Sequence, residues 1–140
     1  KVSLKEEVLH IKEYIELEKI TFQESLKVEF SACEIDEHIQ VAPMLLIPFV
    51  ENAFKHGTLE YGFLTIDIQI SVVGRQLTFR IANSYREAND HSKNGGIGIE
   101  NIRKRLDLNY ADNYDLKTEK KNNRYVAELM IFEIGRQVNN

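Results

Sequence analysis

The stretch LTIDIQISV alternates without a fault: Leu64, Ile66, Ile68, Ile70 and Val72 are apolar, while Thr65, Asp67, Gln69 and Ser71 are polar. Successive side chains on a strand point to opposite faces, so this segment reads as a strand with one buried and one wet face. The tripeptide GRQ makes a tight connection, and LTFRIAN resumes the alternation with Leu77, Phe79 and Ile81 inside. That pattern predicts a hairpin. A hairpin with one apolar face needs a second layer to cover it, and the rest of the chain has to supply that layer.

Helical periodicity does so. In residues 3–22, SLKEEVLHIKEYIELEKITF, the residues Leu4, Val8, Ile11, Ile15, Leu17 and Ile20 recur mostly at three- and four-residue spacings. Ser3 with Glu6 three residues later is a capping-box pattern. Pro43 suits a helix start, which predicts a second helix over 44–56 with Leu46, Val50, Ala53 and Phe54 on its apolar face. Gly57 is its natural C-cap, and Lys55 and His56 complement the helix dipole. GIGIENIRKRLDLNY reads as a third helix, with Ile99, Ile102, Leu106 and Tyr110 on one stripe. LKVEFSAC alternates like a strand through Leu26, Val28 and Phe30, and EIDEHIQV is a polar connection ending in a short extended piece. YDLKTEK and RYVAELMIFEI are two final strands joined by a KNNR turn. The polar stretch SYREANDHSKNGG has no periodicity and is a long loop, a kind usually functional or disordered. The expected fold is an α/β two-layer sandwich over residues 1–140: a mixed, mainly antiparallel sheet covered on one face by helices.

The chain has 140 residues, 43% of them hydrophobic and 29% charged, enough for one globular core. Its net charge of −4 argues against nucleic acid as the main partner. One cysteine, Cys33, rules out a disulfide framework, and in its apolar strand-like context it reads as a packing residue. The longest apolar run, residues 41–50, is too short to span a bilayer. The four histidines lack metal-ligand spacing, and no hydrolase elbow or Walker lysine motif is present.

Two places carry chemistry. In VENAFKHG, the residues Asn52, Lys55 and His56 fall three and four apart and share a helix face, with Glu51 beside Asn52. An amide or carboxylate oxygen is a hard ligand suited to Mg²⁺, and a lysine one turn away suits a phosphate. Taken alone, a solvated face with a Glu51–Lys55 pair explains these residues equally well. In NGGIGIENIRKRL, Gly95, Gly96 and Gly98 allow close backbone approach and lead into a helix N-terminus, where free N–H groups favour phosphate. Taken alone, that is a hinge.

Together, LIPFVENAFKHG, a hairpin ending in IANS, and a loop to GGIGIENIRKRL resemble the ATP-binding domain of sensor histidine kinases. That domain has the Bergerat fold shared with gyrase, the heat-shock chaperone and mismatch-repair ATPases, and the closer likeness is to the LytS/YehU-like branch. The resemblance spans nearly the whole chain. It implies that Asn52 coordinates Mg²⁺, that Glu51 is the adjacent acidic position, that Lys55 reaches the nucleotide phosphates, and that His56 lies beside the nucleotide. It places Gly96 and Gly98 at the hinge of an ATP lid over 84–97. Asn101, Arg103 and Arg105 fall on the helix behind the hinge, where an arginine would meet phosphate. It also implies a cytoplasmic domain of a membrane-anchored, homodimeric bacterial protein. Phosphate would pass from ATP to a histidine on a dimerisation domain and then to the aspartate of a response regulator. No phospho-acceptor motif is present, since His10 has the wrong context, so the chain alone should bind ATP without autophosphorylating.

Two departures bear on the chemistry. Where the family ends the hairpin strand with an aspartate that accepts a bond from the adenine amine, strand phase puts Asn83, which still offers an oxygen but without charge. Tyr85 takes the place of the first expected glycine. Where the family's hydrolases carry a glutamate one turn before the asparagine, Pro48 stands, and proline cannot be a general base. Transfer is therefore favoured over hydrolysis. The alternative is a degenerate member acting as a protein-interaction module without productive ATP binding.

Overall fold

In the computed structural model, which describes residues 1–86 and 95–136, the alternating hairpin becomes the centre of a sheet. β1 (Val2–Ser3) runs into α1 (Leu4–Phe22), followed by a 3₁₀ turn at Gln23–Ser25, β2 (Leu26–Ala32), β3 (Ile39–Val41) and α2 (Ile47–His56). β4 (Leu64–Val73) and β5 (Gln76–Ser84) form the hairpin, then come α3 (Gly95–Tyr110), β6 (Tyr114–Lys121), β7 (Arg124–Ile131) and β8 (Gly135–Arg136). The main sheet has the order β2-β4-β5-β7-β6, in which only the β2–β4 pair is parallel. The expected mixed, mainly antiparallel sheet with helices on one face is what forms. Leu4, Ile11 and Val50 from the helices share one core with Ile66, Ile68, Phe79 and Leu129 from the sheet. Phe49 of α2 packs on Phe79 with ring centroids 5.5 Å apart.

The turns follow from their residues. Gly74 takes φ 62° between β4 and β5, and Asn122 and Asn123 take φ 55° and 60° between β6 and β7. Two consecutive left-handed residues suit a tight hairpin, and asparagine tolerates them. Ser3 caps α1 as its spacing predicts, its hydroxyl accepting the Glu6 N–H at 3.1 Å.

Four sequence expectations need correction. α2 starts at Ile47, not at residue 44, because Met44 has φ 60°, which a right-handed helix cannot accommodate. Pro48 rather than Pro43 stands in the first turn. Leu17 and Ile20 are 65% and 72% exposed. The buried stripe is Leu4, Glu7, Val8, Ile11 and Ile15, and positions two and five beyond Ile15 turn away from it. Cys33 is exposed, not packed. It extends the β2–β4 ladder at an edge strand, its N–H donating to Ile70 O at 3.0 Å and its Sγ accepting the Val72 N–H at 3.3 Å. Finally, β1, β3 and β8 build a small second sheet, whose two- and three-residue strands are too short to show a period.

Candidate functional site

α2 presents the polar residues. Glu51 and Lys55 are exposed, and Asn52 and His56 are half-buried at the boundary of the core formed by Val50, Ala53 and Phe54. Glu51 and Lys55 form no ion pair among the described residues. The helix ends at Gly57, whose N–H donates to Ala53 O. Gly57 has φ −63°, so it is needed for space rather than for backbone freedom. A Cβ there would stand 2.6 Å from Ala53 O, 2.6 Å from Leu64 Cδ1 and 3.3 Å from Asn83 Nδ2. Glycine therefore lets the end of α2 close on β4 and on Asn83.

Asn83 continues the inward row of Leu77, Phe79 and Ile81 and is 3% exposed. It lies in register with Ile66 on one side and Tyr125 on the other. Its Nδ2 donates to Ser84 O at 3.0 Å, which fixes the amide: a carbonyl can only accept, so the nitrogen must face it. Ser84 then ties the loop after α2 to β5. Its hydroxyl donates to Thr58 O at 2.7 Å and accepts the Thr65 N–H at 3.0 Å, while the Thr58 N–H donates to Ser84 O at 2.9 Å.

α3 completes the arrangement. A Cβ on Gly98 would stand 2.5 Å from Asn52 Oδ1, so the first turns of α3 approach α2 at the asparagine itself. The structure thus brings Asn52 to Gly98 across one contact and Gly57 to Asn83 across another, with Lys55 and His56 on the helix between them. Gly96 lies in the first turn of α3. Of the lid expected over 84–97, residues 87–94 lie outside the described residues, Ser84 ends β5, and residues 95–97 belong to α3.

The α3 residues divide. Asn101 is exposed. Arg103 is half-buried and spends Nη1 on Leu116 O at 3.3 Å. Arg105 is exposed and lines a groove with Pro43, Met44 and Pro48, beside the start of α2.

Sequence reading passed over the aromatic group beside Asn83. Tyr85 is buried, with its N–H on Asn123 O at 2.9 Å and its ring 6.3 Å from that of Tyr125. The Lys120 ammonium sits 4.9 Å above the Tyr85 ring and 3.3 Å from its hydroxyl. Burial pushes the Tyr125 hydroxyl pKa up, partly offset by its bond with Thr118 and the positive charges of Lys120 and Arg103. Only strand register places Tyr125 opposite Asn83, and register is not visible in a one-dimensional pattern.

The Phe54 side of α2 meets α1 through Tyr14, whose ring stands edge-on to Phe54 at 5.5 Å. Burial first, then the Glu18 and Glu51 carboxylates, push the Tyr14 pKa from 10.0 up to about 12. The folded chain therefore keeps this proton when the unfolded chain has lost it. The associated stability is complete below pH 10 and is lost as pH rises through about 12. We expect the melting midpoint to fall over that window and Tyr14→Phe to flatten the fall; a variant that falls as steeply as wild type removes Tyr14 from the account.

The sensor histidine kinase BtsS of Escherichia coli (strain K12) is 30% identical over 118 residues, covering 82% of this chain and 21% of that protein. An uncharacterized sensor-like histidine kinase of Staphylococcus epidermidis is 29% identical over 147 aligned residues, covering 97% of this chain and 26% of that protein. The chain thus spans about a fifth to a quarter of the length of these curated relatives. Among solved structures, the nucleotide-free catalytic domain of histidine kinase ThkA superposes with TM-score 0.70 at 16% identity, covering 93% of this chain and 94% of that one. ThkA has also been solved in complex with the response regulator protein TrrA. No family model matches the chain.

Proposed function

Because the chain belongs to the sensor histidine kinase family and has the fold of its catalytic domains, we propose that it holds Mg-ATP for phosphoryl transfer to a histidine outside this segment. The observation that carries this reading is the meeting of Asn52 with Gly98. The missing Cβ leaves a cradle in which a half-buried amide oxygen stays in place beside the first turns of a helix. Such an oxygen fits Mg²⁺, which keeps several waters and shares phosphate oxygens instead of demanding a full protein cage. Mg²⁺ would supply neutralisation of phosphate charge at Asn52.

The remaining roles follow from chemistry and position. Lys55, one turn along, meets a phosphate as a mobile point charge. Backbone N–H groups in the first turn of α3, at Gly96 and Gly98, favour the same phosphates. Asn83 offers its Oδ1 to a base, because its Nδ2 is held by Ser84. His56 lies between these ends, and Glu51 stands at the exposed edge. Asn101 and Arg105 are assigned to the phosphate side, with Arg105 needing to swing from its groove. Pro48, in the first turn of α2, leaves no carboxylate one turn before Asn52 to activate water, which favours transfer over hydrolysis. In transfer, the γ-phosphorus bonds to an imidazole nitrogen of the acceptor and ADP leaves.

In the intact protein we place this unit as a cytoplasmic domain, with a homodimerising phospho-acceptor domain and a response regulator as partners. The complex of ThkA with TrrA supports the latter. No helix among the described residues is long and apolar enough to cross a membrane, so a membrane anchor would belong to other parts of such a protein.

Calorimetric titration with a non-hydrolysable ATP analogue, with and without Mg²⁺, tests the reading. Binding that needs Mg²⁺ supports it; no heat at high protein concentration would favour the interaction-module alternative, which Asn83 and Tyr85 motivate. Gly98→Ala should weaken binding roughly 10-fold by displacing the Asn52 amide. It should leave the melting midpoint unchanged or slightly raised, because the contact is with a side-chain end and alanine is the better helix former. Wild-type affinity in Gly98→Ala would remove the cradle from the argument.

A further inference from the structure

Glu7 stands on the inner stripe of α1 beside Leu4 and Val8 and is 2% exposed. Burying a carboxylate is costly unless it is paired or fully hydrogen-bonded. Here Oε1 accepts the Leu45 N–H at 2.9 Å, while Oε2 is buried with no partner among the described residues. Leu45 precedes Leu46, the N-cap of α2, and α2 has neither a side-chain cap nor an acidic residue in its first turn. Negative charge near a helix N-terminus is favourable, so α1 supplies what the sequence of α2 lacks.

Tyr110, the last residue of α3, holds the same loop from the other side. It is buried, and its hydroxyl accepts the Ala42 N–H at 2.8 Å. Its pKa is raised chiefly by burial, lowered by the Ala42 bond and raised by the charge of Glu7. Between Ala42 and Leu45 lies Met44 with its φ of 60°, a strained turn that external bonds must hold. Glu7 on α1 and Tyr110 at the end of α3 thus hold the two ends of one short loop, residues 42–45, that leads into α2. Of these helices, α2 and α3 are those that bring Asn52 and Gly98 together.

We propose that Glu7 is a positioning residue: through Leu45, with Tyr110 holding the other end of the same loop, it makes the placement of α1 set the spacing of α2 and α3, and with it the affinity for Mg-nucleotide. The affinity half of this proposal rests on the nucleotide-binding reading above.

The test uses Glu7→Gln, which keeps an oxygen for the Leu45 N–H, and Glu7→Met, which fills similar volume with neither charge nor acceptor. Glu7→Met removes an unpaired buried charge but leaves the buried Leu45 N–H without its acceptor, two opposing effects, so the Met variant should melt several degrees below wild type and still unfold cooperatively. It should bind the Mg-ATP analogue roughly 5- to 10-fold more weakly, with Gln near wild type. Tyr110→Phe, which keeps the ring and loses the Ala42 acceptor, should shift affinity the same way and covers the case in which Glu7→Met fails to fold. Without nucleotide, amide hydrogen exchange in Glu7→Met should rise in residues 42–56 and in α3 while β4 and β5 stay protected. Wild-type affinity in both variants, or exchange rising equally across β4 and β5, overturns the proposal. Localised exchange changes in a chain that binds no nucleotide at all would instead sink the nucleotide reading, and the affinity half with it, while the helix coupling stood.

Discussion

Replacing Asn52 with alanine should lower Mg-ATP affinity by about 10- to 100-fold, the cost of losing a bond to a charged partner, while leaving the fold intact. The two halves of that expectation have separate origins. Asn52 is half-buried, its Oδ1 faces the open side of Gly98, and asparagine is a poor mid-helix residue. Alanine therefore removes the proposed ligand without opening a cavity in the core, and the melting midpoint should hold or rise. The loss should be largest with Mg²⁺ present and small without it, because in the proposed reading only the metal-bound complex uses the amide oxygen. Titrations of both proteins in each condition read this directly. An Asn52→Ala protein that binds Mg-nucleotide like wild type would take Asn52 out of the site.

The second large effect is one of stability. Gly57→Ala puts a methyl group 2.6 Å from a backbone oxygen of α2 and 2.6 Å from Leu64, which is 1% exposed. The backbone angle itself would accept alanine, so the cost is pure overpacking, about 1–3 kcal/mol and several degrees of melting midpoint in a chain of this size. Neither neighbour can yield cheaply, since one is main chain and the other is held in the core. Relief has to come from moving the end of α2 off β4, which also carries it from Asn83, 3.3 Å from the same methyl position. Chemical denaturation should show the loss, and an unchanged midpoint would mean that the α2–β4 junction is slack.

How far the sequence led can be judged residue by residue. The β4–β5 hairpin was legible because strand periodicity is strict wherever one face is buried, and the stripe of α3 was legible because Ile99, Ile102, Leu106 and Tyr110 keep helical spacing to the last turn. The start of α2 was misread because two prolines lie close together and either suits a first turn. Only the left-handed Met44, held by bonds from α1 and α3, decides between them. Leu17 and Ile20 misled because apolar character was weighed above angular position. The cluster at VENAFKHG was legible as one polar helix face, since polar residues at helical spacing follow a greasy run, but its neighbours were not. Tyr125 beside Asn83 depends on pairing between β5 and β7, and Gly57 against Leu64 depends on how closely a helix packs on a sheet. Glu7 left a signal that went unused: an acid falling on the inward stripe of an otherwise regular amphipathic helix.

The exposed edge thiol has a practical consequence. The sequence contains one cysteine, Cys33, beside the Ile70–Val72 end of β4, whereas Asn83 pairs with Ile66 at the other end. A maleimide dye will therefore attach at a single address on this 140-residue chain, toward the opposite end of β4 from the proposed nucleotide pocket. With a fluorescent nucleotide as acceptor, that address becomes one end of a molecular ruler whose other end is the ligand.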